Sequence, residues 1–174
     1  MDFMSDNAGC IISTLILVIP VLLLVRWFLK KELEEKRISN IAGIRKEILP
    51  QKLQAYERLA LLLERVAPES LVLREQRQEM NSLKFHSHLL RVVRNEFDHN
   101  LAMQVYVPAK TWELIETART GLLKLINSSA ASVNPESNSI ELGRTIIENS
   151  TGDVKYSFKK ALEALKKDVE LLYR

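Results

Sequence analysis

Ala8 to Val25 reads AGCIISTLILVIPVLLLV, a run of 18 residues without a charge. As a helix rising 1.5 Å per residue it covers about 27 Å, close to the hydrocarbon thickness of a bilayer. Trp27, Phe28 and Leu29 extend the apolar stretch past Arg26, whose side chain can reach back to the interface. Trp27 falls where interfacial aromatic residues collect. Pro20 is compatible with a spanning helix, because lipid offers the backbone no better hydrogen-bonding alternative. The sequence therefore predicts a transmembrane helix over residues 8–29, bounded by Ala8 and by Val25 and Trp27, after a short tail at 1–7.

Two other readings of this segment fail on order and flanks. Asn7-Ala8-Gly9-Cys10 resembles the end of a lipoprotein cleavage box, but such a box follows its apolar run, and here the run follows the cysteine. A cleavable signal peptide has a positive flank before the apolar run and small residues after it. This chain has Asp2 and Asp6 before it and Arg26-Trp27-Phe28 after it. Lys and Arg are retained on the cytoplasmic side of a bilayer. Arg26, Lys30, Lys31, Lys36 and Arg37 all follow the run, which predicts a single pass with the N-terminus outside and the larger domain inside. Cys10, the only cysteine, falls in the span. Gly9 and Ser13 form one small-xxx-small pair, too common in spans to define a dimer face.

The mean hydropathy of −0.06 averages two different segments. Residues 8–29 contain 17 hydrophobic residues in 22, and residues 30–174 contain 61 in 145. The second segment has the composition and length of one globular domain, able to build a core without disulfides or metals. Helical periodicity runs through it and no alternating strand pattern interrupts it. Ile41, Ile44 and Ile48 share a helix face on a stalk over residues 30–49, which Pro50 is expected to bend or interrupt. Leu49, Tyr56 and Leu63 recur every seven residues, as do Leu53, Ala60 and Ala67, so the two rows predict a coiled-coil-like seam ending at Pro68.

The next predicted helix covers residues 75–104, with Leu83, Leu90 and Phe97 seven apart and Val93 between them. Pro108 suits the first turn of a following helix, which places Trp112, Ile115, Ala118, Leu122 and Leu125 on one face. Residues 127–138, NSSAASVNPESN, read as a loop. A short helix at 140–148 and a last one capped by Asp153 complete the pattern, the latter carrying Phe158, Leu165 and Leu172 with Leu162 and Val169. The expected fold is all-α: one N-terminal transmembrane helix, then an antiparallel bundle of about four main helices over residues 50–174.

The polar residues offer little chemistry. The five glycines, at 9, 43, 121, 143 and 152, are too scattered for a phosphate-binding loop or a dinucleotide fingerprint. His86 and His88 lie two apart, so on a helix they point away from each other. Glu96-x-x-His99 is half of a di-iron carboxylate pattern, but His86 and His88 follow Leu83 and Phe85 instead of glutamates. No nucleophile sits in a catalytic setting, so no catalytic residue, metal or cofactor is assigned.

From residue 30 onward there are 24 Lys+Arg against 20 Asp+Glu, mixed in sign. That bias names no nucleic-acid partner. Glu57-Arg58 and Glu64-Arg65 flank the seam, as solvated edges or as partners of Arg91 or Arg94 across the bundle. Arg26, Lys30 and Lys31 are the candidate membrane-surface group, facing anionic headgroups.

Gln51 to Pro68, QKLQAYERLALLLERVAP, and Glu96 to Trp112, EFDHNLAMQVYVPAKTW, resemble a family of uncharacterised single-span bacterial membrane proteins with a helical cytoplasmic domain. The resemblance is clearest up to Val133. It implies a bacterial inner-membrane setting and the same architecture, and no activity. Glu96, Asp98, His99 and Asn100 stand beside the seam residue Phe97 as a candidate partner-binding patch, or as polar groups that bond into the Val105-Tyr106-Val107 turn. The functional expectation is a membrane-anchored interaction or scaffold protein, with the bilayer and a protein, including a second copy of the chain, as partners. The alternatives are an enzyme with a site assembled across the bundle and a module that binds the lipid surface.

Overall fold

Six α-helices and one 3₁₀ segment make up a computed structural model of the chain that describes residues 22–34, 36 and 46–173. The helices are α1 (Phe3–Val66), α2 (Pro68–Glu75), α3 (Ser82–Asn100), α4 (Ala109–Ala131), α5 (Ser139–Asn149) and α6 (Asp153–Leu172), with the 3₁₀ segment at Leu101–Tyr106. No β-strand occurs among the described residues, and the fold is an all-helical bundle. Among the described residues no helix is long and apolar enough to cross a membrane. Residues 1–21, the expected tail and most of the expected span with Gly9, Cys10 and Ser13, lie outside them, as do Arg37, Ile41 and Ile44 of the expected stalk.

The chain divides into two compact units, residues 1–48 and residues 49–174. In the first, Leu22, Leu23, Leu24, Val25, Trp27, Phe28 and Leu29 are all exposed. Arg26, Lys30 and Lys31 are exposed too, and the Lys31 ammonium lies 5.7 Å from the centre of the Trp27 ring. Lys36 and Glu32, one turn apart, form a 2.9 Å ion pair.

The second unit holds the core. Its four long helical stretches alternate in direction, as cross-links between them show. Arg65 meets Glu96 while Arg58 meets Asn100, so α3 runs against α1. His86 bonds Asn127 while Phe97 meets Arg119, so α4 runs against α3. Thr111 bonds Asp168 while Gly121 lies beside Ser157, so α6 runs against α4. The short α2 and α5 pack on each other and against α3.

Pro50 lies inside α1 and does not end it. A proline removes one backbone hydrogen bond, and the turns on either side hold the helix together. The break comes at Ala67, where Pro68 opens α2 at its first turn, a position that needs no N–H. The expected helix over residues 75–104 is therefore four pieces: the end of α2, a connector at 76–81, α3, and the start of the 3₁₀ segment. Asn81 caps α3 through a 3.0 Å bond from Lys84 N–H to its Oδ1. The 3₁₀ segment replaces the last expected turn.

Burial also departs from the seven-residue rows. On α1, Tyr56 and Leu63 are buried as expected, but Leu59, Leu62 and Val66 join them, and Leu53, Ala60 and Ala67 are only half-buried. Helices on two sides of α1 require a wider apolar stripe than a coiled-coil seam. On α3 the buried row is Ser82, Phe85, Leu89, Val93, Phe97 and Asn100. A step of four residues turns about 40° one way around a straight helix, and a step of seven about 20° the other way. Leu83 therefore leaves the core and is 52% exposed. On α4 the expected face is correct, with Ile115, Ala118, Leu122 and Leu125 buried and Trp112 at its edge.

The predicted loop at 127–138 is shorter than its composition suggests, because α4 continues to Ala131. Its remainder is tied down. Ser82 N–H donates to the Ser137 carbonyl at 2.8 Å, Ser139 N–H donates to the Met80 carbonyl at 3.1 Å, and Leu83 N–H donates to the Pro135 carbonyl at 3.0 Å. The Ser82 and Ser137 hydroxyls meet at 2.8 Å. Gly152 supplies the turn before α6 with a φ of +70°, a conformation suited to a residue without Cβ. Asp153 is the first helical residue and not the cap.

Candidate interaction surface

The predicted patch on α3 separates into two halves. Glu96 and Asn100 turn toward α1. Both Nε and Nη2 of Arg65 donate to Glu96 Oε1, at 3.0 and 2.6 Å. Arg58 Nε donates to Asn100 Oδ1 at 3.3 Å, and the Asn100 amide donates back to the Glu96 carbonyl at 2.8 Å. These residues fix the register of α1 on α3, and among the described residues no side-chain hydrogen bond joins them to residues 105–107. The expected pairing of Arg91 or Arg94 with Glu57 or Glu64 is replaced by pairs of the opposite sense, with arginine on α1 and acceptors on α3. Asp98 and His99 are exposed, and Arg58 Nη2 donates to the His99 carbonyl at 3.4 Å.

A polar chain continues this register. Arg74 Nη1 donates to the Arg65 carbonyl at 2.8 Å, and Arg74 Nε to Glu75 Oε1 at 2.8 Å. Glu75 Oε2 meets His88 Nε2 at 2.9 Å, and His88 Nδ1 meets Arg91 Nη2 at 3.1 Å. Burial pushes the Glu75 carboxyl up, but the bonds and charges of Arg74 and His88 outweigh it and hold the group below its usual range. No cluster of three or more His, Cys, Asp or Glu residues able to hold a metal occurs among the described residues.

The more open surface lies on the other flank of α1. A groove of about 480 Å³ runs between α1 and α6. Its walls are Leu53, Tyr56 and Ala60 on one side and Leu162, Leu165 and Val169 on the other, with Glu57, Lys166, Glu170 and Tyr173 along the rims. Leu53 and Ala60, two of the half-buried row that failed as a core seam, thus line the groove, and the small side chain of Ala60 leaves the space. A smaller cavity of about 350 Å³ reaches the opposite side of Tyr56, where Lys52, Tyr106, Asp168 and Leu172 meet. Burial, and then the nearby Asp168 carboxylate, raise the Tyr56 phenol above its ordinary value. Tyr56 was visible in sequence only as a seam residue. Asp168 and Thr111 carried no periodic signal, because their partnership joins residues 57 apart.

These features define a class: a small all-α bundle with an apolar, charge-rimmed open groove and a long N-terminal helix. The chain belongs to a family of unknown function, DUF7935, which matches residues 2–172. The match takes in both units and runs past Val133, where the resemblance in sequence had become less distinct. No curated protein and no solved structure matches the chain.

Proposed function

We propose that this protein is a membrane-anchored scaffold, held in the bacterial inner membrane by one span with its N-terminus outside. Its helical domain stands in the cytoplasm and presents a binding surface to a protein partner. The observation that carries the reading is the continuation of the uncharged Ala8–Val25 run into an outward-facing apolar wall. Trp27 is 63% exposed and Leu24 64%. Apolar residues exposed in a continuous row are costly in water and favourable in lipid. Lys31 over Trp27 pairs a cation with an aromatic ring at the level where headgroups would lie. The α1–α6 groove favours interaction over catalysis, since its walls are apolar and its rim charges do not converge on a point.

The test is extraction and topology. Full-length chain expressed in a bacterial host should remain in the membrane pellet at alkaline pH and dissolve only in detergent. A C-terminal tag should resist protease added to intact spheroplasts and be cut after lysis. Release by alkali would overturn the span, and cleavage in intact spheroplasts would overturn the orientation.

A further inference from the structure

We infer that the α1–α6 groove is the face on which two copies of this chain associate, an inference that names the partner in the scaffold reading above. The groove's rims carry both signs: Glu57 on α1, and on α6 Lys166 with Glu170 one turn beyond it. Among the described residues none of these three has an ion-pair partner within its own chain. Beside them Leu61 is 61% exposed and Tyr173 68% exposed, so the apolar surface continues outward from the groove on both helices.

The charge order selects the occupant. A foreign helix of one sign would be attracted by part of this rim and repelled by the rest. A two-fold axis along the groove places the α1 wall of one copy against the α6 wall of the next. Glu57 lies midway between Leu53 and Ala60, and Lys166 lies near the middle of the stretch from Leu162 to Tyr173, so the two sit at similar levels. The same rotation therefore forms the Glu57–Lys166 pair twice, as an isologous interface requires. Copies held in one membrane also meet at high effective concentration, so a modest interface suffices.

The experiment uses full-length chain in detergent and in lipid nanodiscs, with Cys10→Ser as background. Differently tagged chains carrying Glu57→Cys and Lys166→Cys are mixed and oxidised. The Glu57→Cys chain should cross-link to the Lys166→Cys chain far more than either links to itself. Glu57→Lys and Lys166→Glu should each weaken the dimer about fivefold or more, the scale of two partly exposed ion pairs. The two reversals combined should restore it. Both side chains are exposed, so helicity should not change, and at concentrations where parent and variants are all monomeric their melting temperatures should agree. A monomeric mass without cross-links would overturn the inference, and so would a dimer indifferent to both charge reversals. Groove thiols shielded only when lipid is added would assign the groove to lipid and overturn it as well. Failure of the anchor is separate: alkali would then release the chain, while cross-linking in detergent would still report on the groove.

Discussion

Thr111 Oγ1, in the first turn of α4, donates a 2.5 Å hydrogen bond to Asp168 Oδ2 near the end of α6. Thr111 is buried and Asp168 half-buried, so the bond closes one end of the α4–α6 pair where water competes poorly. Thr111→Val keeps the shape and removes the donor, leaving the carboxylate short of a partner. The expected cost is about 1–3 kcal/mol in urea unfolding. Unfolding curves for Thr111→Val and the parent that overlay would show that water replaces the hydroxyl without loss.

Glu75 sets the response to acid. Its folded pKa lies below the ordinary value, so the unfolded chain takes up the proton first as pH falls. Its contribution is complete above the unfolded value of about 4.3 and disappears as pH drops through the lower folded value. Stability measured by denaturant titration from pH 6 downward should fall less steeply in Glu75→Gln than in the parent. Equal slopes would remove Glu75 from the acid response.

Gly143 lies on α5 against α2. A Cβ there would sit 3.0 Å from Val72 Cγ1 and 3.2 Å from Gln76 Oε1. Alanine in mid-helix gains roughly 1 kcal/mol over glycine. Gln76 can swing away, but Val72 is stiff at χ1 and 1% exposed, so α2 must shift. Overpacking of this kind costs about 1–3 kcal/mol, and Gly143→Ala should be net destabilising by thermal melting. A rise in melting temperature would mean that the α2–α5 contact yields easily.

The core and the register bonds should differ in weight. Leu59 is fully buried, and Leu59→Ala should cost about 2–5 kcal/mol. The Arg65–Glu96 pair is short, at 2.6 Å, but the arginine side chain is 54% exposed. Arg65→Ala should cost about 1 kcal/mol or less, and less still in high salt. Paired unfolding measurements decide the ranking, and a larger loss at Arg65 would reverse it.

What the sequence made legible is what repeats locally. Helical faces such as Ile115 to Leu125 on α4 follow from spacing alone, and so does the identity of the long helices. Leu83 and the Leu53–Ala60–Ala67 row were misplaced because seven-residue spacing fixes a direction on one helix, not the width of the face its neighbours cover. The composition of residues 127–131 reads as loop, although Ser129 packs fully buried in the last turns of α4. Glu96 and Asn100 stood out as polar residues beside Phe97, but their partners Arg65 and Arg58 lie 31 and 42 residues away. No local pattern encodes that pairing, nor the groove that opens between helices separated by most of the domain.

The Ser- and Asn-rich segment between α4 and α5 has a consequence for how this domain can be altered. Surface loops of that composition usually accept inserted sequence. Here the carbonyls of Pro135 and Ser137 bond the start of α3, and the Ser139 N–H bonds the carbonyl of Met80. An insertion at residues 135–138 would pull apart the starts of two helices at once. The connector thus works as a joint whose length is set, and extra chain is better accommodated at the exposed turn around Thr151 and Gly152, where a Cβ on the glycine would meet nothing within 4 Å.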